Sequence, residues 1–158
     1  MTRDSHRAAV YAAEDQLSRL LASGGVIDFH GSTLDIAPEQ TFQEIAEIQE
    51  YLDAIRWTSW GHGDLIAARV CASRATTTAE WRAPNLIRVP VKQGWAMRES
   101  VVLHEYSHHV QFHRTGATSH DEDFCQTLLG LVEYAMSPAV ALLLRAGLTD
   151  NGALNSFR

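Results

Sequence analysis

The chain has 158 residues, enough for a single domain over 1–158 with a real core, and its 46% hydrophobic and 20% charged residues are those of a globular protein. A formal net charge of -6, with Lys92 the lone lysine and no basic run, argues against a dedicated nucleic-acid binder, whose affinity rests on neutralising phosphates. Two cysteines, Cys71 and Cys125, exclude a disulfide framework and a C-x-x-C zinc pair. Both are expected to be reduced and buried, as in a cytoplasmic protein. The opening Met1-Thr2-Arg3-Asp4-Ser5-His6 lacks the apolar stretch of a signal peptide, and the most apolar run, Ala139 to Leu144, is too short to span a bilayer.

In chain order, Val10, Leu17, Leu20 and Leu21 among charged positions predict a helix over 4–22, capped by Asp4 or Ser5 and stopped at Gly24-Gly25. Val26 to Phe29 and Thr33 to Ile36 read as two short strands around His30-Gly31-Ser32. A second helix, about 40–55, buries Phe42, Ile45, Ile48, Leu52 and Ile55, with Thr41 and Glu44 as a capping box. Leu65 to Cys71, Thr76 to Trp81 and Leu86 to Val91 are rich in β-branched and aromatic residues and predict strands. A third helix covers about 95–113, a fourth about 121–136, and a fifth about 138–146, opened by Ser137-Pro138 and closed by Gly147. The order predicts an α+β fold, a small antiparallel or mixed sheet packed on helices.

Residues 104–108, His-Glu-Tyr-Ser-His, match H-E-x-x-H. On a helix, residues four apart stand one turn above each other. His104 and His108 are thereby placed to grip one metal ion, with Glu105 beside them as a proton acceptor. Advancing by about 100° per residue puts His108 about 40° from His104, and Val102, Leu103, Tyr106 and Val110 between about 160° and 260°. The histidine pair therefore lies opposite the apolar stripe, with Met97, Val101 and Phe112 flanking it.

A catalytic zinc usually takes three protein ligands plus water, so a third ligand must come from elsewhere. His109 and His113 point away from the pair on the same wheel and read as solvent-facing or hydrogen-bonding histidines. Gln111 and Arg114 stand where the metzincin extension requires Gly and His, which excludes that class. His120 is the better candidate. It follows a turn containing Gly116 and opens the fourth helix, whose Phe124, Leu128 and Leu131 share one face that should pack on the third helix. The other reading of His120 is a polar residue in a helix-capping loop.

With these residues in place, the chain resembles a family of actinobacterial metallohydrolases of the minigluzincin-like type. The resemblance runs from Asp4-Ser5-His6-Arg7-Ala8-Ala9-Val10-Tyr11-Ala12-Ala13-Glu14 through Trp95-Ala96-Met97-Arg98-Glu99 and Val101-Val102-Leu103-His104-Glu105-Tyr106-Ser107-His108-His109 to Leu128-Leu129-Gly130-Leu131-Val132-Glu133. The family's His-Gly-Pro-Glu-Phe-like segment reads here His120-Asp121-Glu122-Asp123-Phe124, in which the His and Phe match and the Gly-Pro does not. More widely, the third His four residues before an aromatic is similar to SprT-like zincins rather than to ImmA/IrrE-like ones, which usually place an acid there. No zinc ribbon or basic region accompanies it, so DNA-linked proteolysis does not carry over.

The resemblance implies a zincin-like fold with an H-E-x-x-H active-site helix, and Zn²⁺ held by His104, His108 and His120 with water in the fourth position. Glu105 would be the general base in hydrolysis of a peptide or amide bond. An extended peptide or protein substrate would pair with a sheet edge, for which Leu86 to Val89 is the candidate. Tyr134, His62 and several arginines are candidates for oxyanion stabilisation, though each also reads as structural. Arg98 and Glu99 read either as partners orienting a ligand histidine or as solvated charges at a helix start. Trp57-Thr58-Ser59-Trp60-Gly61-His62-Gly63 reads as a substrate loop or, more simply, as a turn anchored by buried Trp side chains. The competing function is a non-catalytic module in which the metal staples two helices and the surface binds a partner; such a site has no need of Glu105.

Overall fold

A computed structural model describes residues 4, 6–58, 60 and 66–155. The class is α+β, with five α-helices, a two-stranded and a three-stranded sheet among these residues. The chain divides into two compact units, one of Gln40–Thr118 and one of Met1–Glu39 with Ser119–Arg158.

In the unit of Gln40–Thr118, helix α2 (Ile45–Arg56) buries Ile48, Leu52 and Ile55 on one face, as the spacing predicts. The expected capping box does not form. Thr41 instead bridges Arg98 as a short antiparallel pair, and the Glu47 carboxylate reaches back to accept from the Gln43 N–H at 2.8 Å. The same pairing joins the Phe42 N–H to the Met97 carbonyl and the Glu99 N–H to the Gln40 carbonyl, tying the approach to α2 to the segment ahead of the motif helix.

The three-stranded sheet has the order β3 (Arg69–Ala72), β5 (Leu86–Val89), β4 (Glu80–Arg82). It is mixed: β3 runs parallel to β5, and β4 antiparallel. Ile87 and Val89 alternate inward. The strands are shorter than the β-rich runs suggested; Leu65, at the start of the first, lies outside the described residues. β5 is the central strand, so Leu86 to Val89 is not an edge, which corrects the expected site for an added substrate strand. The edges are β3 and β4. Along β3, the Gln49 side-chain amide acts as a surrogate strand, donating to the Ala68 carbonyl and accepting from the Val70 N–H, both at 2.8 Å.

In the other unit, β1 (Gly25–Phe29) and β2 (Ser32–Ile36) form an antiparallel hairpin. Its turn places His30 and Gly31 at positive φ, as a two-residue turn matched to strand twist requires. Helix α1 (Arg7–Ser23) packs on α5 (Pro138–Asp150), which also packs on α4 (Glu122–Ala135). Gly147 does not close α5; the helix continues three residues beyond it. A Cβ at 147 would meet the Ala13 Cβ at 3.3 Å, so the glycine serves close approach of α1 and α5, not termination. Ser137 caps α5 through the Val140 N–H, with Pro138 in the first turn, as expected. Cys125 is buried and free in this unit. Cys71, in the other, is also free but only half-buried, a departure from the expected burial of both. No helix among the described residues is long and apolar enough to cross a membrane.

Candidate metal centre

A one-turn 3₁₀ segment, Gly94–Ala96, leads into helix α3 (Glu99–Thr115), which carries the whole of residues 104–108. Arg114 lies in its last turn, where a cation complements the helix dipole, and Gly116 ends it in the left-handed conformation with its N–H on the Phe112 carbonyl. The rings of His104 and His108 stand 5.1 Å apart at 71°. The apolar stripe of Val102, Leu103, Tyr106 and Val110 is buried, and so is the polar side: His104, Glu105, Ser107, His108, His109 and Gln111. A helix with a solvated back would leave those groups in water. Burying a carboxylate among imidazoles is costly unless they are partnered, so such a concentration marks α3 as a candidate functional element.

Glu105 is held from the sheet. Its Oε2 accepts the backbone N–H of Trp81, on edge strand β4, at 2.6 Å. Trp81 also stacks on His108, with centroids 6.4 Å apart at 22°, and its indole N–H reaches His109 Nδ1 at 3.4 Å. His109 Nε2 donates to the Ile66 carbonyl at 2.6 Å, which assigns the proton to Nε2 and makes Nδ1 the acceptor. Burial holds its pKa below the ordinary 6.5, against the opposing pull of that carbonyl. His113 Nε2 lies 2.7 Å from the Pro84 carbonyl. His109 and His113 are thus the hydrogen-bonding histidines of the second expectation; His109 is fully buried, not solvent-facing. Tyr106, stacked flat on His109 at 5.5 Å, has its pKa pushed up to about 12 by burial.

His120 precedes Asp121, whose carboxylate caps α4 by accepting the Phe124 N–H at 3.0 Å. The segment is therefore a helix start, but the capping is done by Asp121, not by the buried His120. Asp4 holds His120 twice: its Oδ2 accepts from the backbone N–H at 3.0 Å and from ring Nδ1 at 2.7 Å. Burial raises the Asp4 pKa, and the hydrogen bonds from His120 outweigh it, leaving it below 3.8. This replaces the expected role of Asp4 as the cap of α1, whose N-cap is His6 with no side-chain bond; Ser5 lies outside the described residues. Phe124 meets the His120 ring edge-on at 4.8 Å, and Tyr11 tilts over it at 5.6 Å.

One ring nitrogen from each of His104, His108 and His120 lies within 4.8 Å of the others, and no other group of three such ligand residues occurs among the described residues. Of the remaining expected residues, Glu99 is buried and accepts from the Tyr51 hydroxyl at 2.5 Å and the Gln40 N–H at 3.3 Å, so it is not a solvated charge. Arg98 donates to the Trp95 carbonyl. Trp57 is 69% exposed beneath the Arg56 guanidinium, not a buried anchor. Tyr134 is exposed. Ser59, Gly61, His62 and Gly63 lie outside the described residues. Asp4 and Trp81 are the contributors that sequence reasoning missed; neither carries a periodic or motif signal linking it to residues so far along the chain. Compared with protein-family models, with curated proteins and with solved structures, the chain finds no match.

Proposed function

We propose that the protein is a zinc-dependent metallohydrolase, a metallopeptidase of the zincin kind, in which His104, His108 and His120 hold the metal and Glu105 is the general base. The observation that carries this reading is the approach of three buried imidazoles to within 4.8 Å beside a buried glutamate. The donor set fits the ion: three nitrogen ligands leave one position of a tetrahedral zinc for water or substrate, the arrangement of catalytic sites, whereas structural sites use four. When bound, zinc supplies a Lewis acid that acidifies water and polarises a carbonyl oxygen.

The chain's own groups supply the rest. Glu105 takes a proton from water and passes it to the leaving nitrogen. The Trp81 N–H on Oε2 fixes the carboxylate's orientation, so that little reorganisation is needed as the proton moves. The substrate in this reading is an extended peptide or protein segment. Of the two sheet edges, β3 has Ala68 and Val70 engaged by Gln49, whereas β4 carries the residue that holds Glu105. Both edges therefore have backbone groups engaged beside the site, and neither is assigned to strand addition. Two free thiols accord with a reducing compartment, the cytoplasm.

A peptide-library digest with zinc-loaded protein tests the reading. Native protein is expected to cleave, and Glu105→Gln to keep zinc while losing about 10²–10⁴-fold in rate. Equal cleavage by both would remove Glu105 from the chemistry. Stoichiometric zinc with no cleavage of any peptide would favour the metal-stapled binding module.

A further inference from the structure

We infer that Asp4 is a positioning residue for the third ligand: it fixes the tautomer and ring orientation of His120, so that the N-terminal segment is part of the metal centre. The inference rests on the metal reading above. It starts from two hydrogen bonds that converge on one carboxylate oxygen. Asp4 Oδ2 lies 2.7 Å from His120 Nδ1 and 3.0 Å from the His120 backbone nitrogen. A carboxylate only accepts, so Nδ1 carries a proton, and in the neutral ring the lone pair is then on Nε2. Backbone and ring are gripped by the same atom, which restricts both the local turn and χ1. Phe124 on one side and Tyr11 on another limit rotation of the ring further.

In water a neutral imidazole places most of its protons on Nε2, the tautomer in which that nitrogen cannot ligate. A buried histidine that must coordinate through Nε2 gains from an acceptor on Nδ1, and such partners raise ligand basicity as well as setting its direction. His120 is the ligand most in need of such help. His104 and His108 are fixed relative to each other by one turn of α3, whereas His120 stands ahead of the first turn of α4. A helix start is secured here by a residue 116 positions earlier in the chain.

Nitrogen-15 imidazole spectra of the metal-free protein read the tautomer directly. The expected result is His120 as the Nδ1–H form in native protein, shifting toward Nε2–H in Asp4→Ala. Zinc affinity should fall about 10–100-fold in Asp4→Ala and by less in Asp4→Asn, which keeps an oxygen acceptor. A role confined to tying down the N-terminal segment would lower the melting temperature of both variants without moving tautomer or affinity. His120 found as Nε2–H in the native protein overturns the inference even where zinc binds, and so does an unchanged affinity in Asp4→Ala. Absence of zinc binding in native protein contradicts the metal reading instead, while the metal-free spectra still decide the tautomer. Should Asp4→Ala fail to fold, the native spectrum and Asp4→Asn carry the test.

Discussion

His109 and His120 are both buried, both bear aromatic neighbours, and both donate a ring proton to an oxygen, yet the structure uses them differently. His109 donates through Nε2 to the Ile66 carbonyl and accepts the Trp81 indole N–H on Nδ1, so each ring nitrogen has a protein partner. His120 donates through Nδ1 to a carboxylate, which in the neutral ring leaves the lone pair on the nitrogen farther from the backbone. On the proposed metal reading, burial alone does not make a histidine a ligand. What matters is which nitrogen holds the proton and what the other one meets.

The largest expected effect separates the two residues by metal. His120→Ala should lose more zinc affinity than the roughly 10–100-fold assigned to an orienting partner, while His109→Ala keeps one zinc per chain. Competition titration against a zinc chelator measures both, and equal losses would erase the distinction. Second in size is stability. His109→Ala removes a fully buried ring with two hydrogen bonds and should lower unfolding free energy by about 2–4 kcal/mol, read by urea titration.

The third prediction concerns pH. The native-state pKa of His109 is held down by burial, so below 6.5 the unfolded chain takes up a proton that the folded chain refuses. Its contribution is thus fully present above 6.5 and is lost as pH falls below that value toward the lowered native pKa. Stability measured in that acidic range should decline with a slope that His109→Phe removes; an unchanged slope would mean His109 is not the group responsible. The smallest effect is expected for Trp81→Phe. It keeps the ring stack and the backbone N–H on Glu105 but loses the indole bond to His109. At 3.4 Å that bond is long, and a cost of about 0.5–1 kcal/mol is expected. A loss several times larger would mean His109 depends on Trp81 more than its bond to Ile66 suggests.

The α+β class, the five helices and the hairpin were legible because each rests on local periodicity and punctuation, as with Ser137-Pro138 at the start of α5 and Gly116 at the end of α3. The errors arise where partners distant in sequence override local chemistry. Thr41 has the right residue type for a cap but pairs with Arg98. Gly147 looks like a helix stop but is the smallest side of a helix contact with Ala13. Leu86 to Val89 has strand composition, and composition does not say whether a strand is central or at an edge. At the candidate site, spacing alone placed His104, Glu105 and His108 on one helix. Nothing in the spacing could indicate that Glu105 is held by Trp81, or His120 by Asp4, because those bonds join elements that only tertiary folding brings together.

Zinc stoichiometry in native protein, His120→Ala and His109→Ala, each purified metal-free and reloaded with one equivalent, tests the central claim most directly. One zinc per chain in the native protein and in His109→Ala, with zinc lost from a folded His120→Ala, is the predicted result. No zinc in the native protein, or zinc retained by His120→Ala at native affinity, would contradict it.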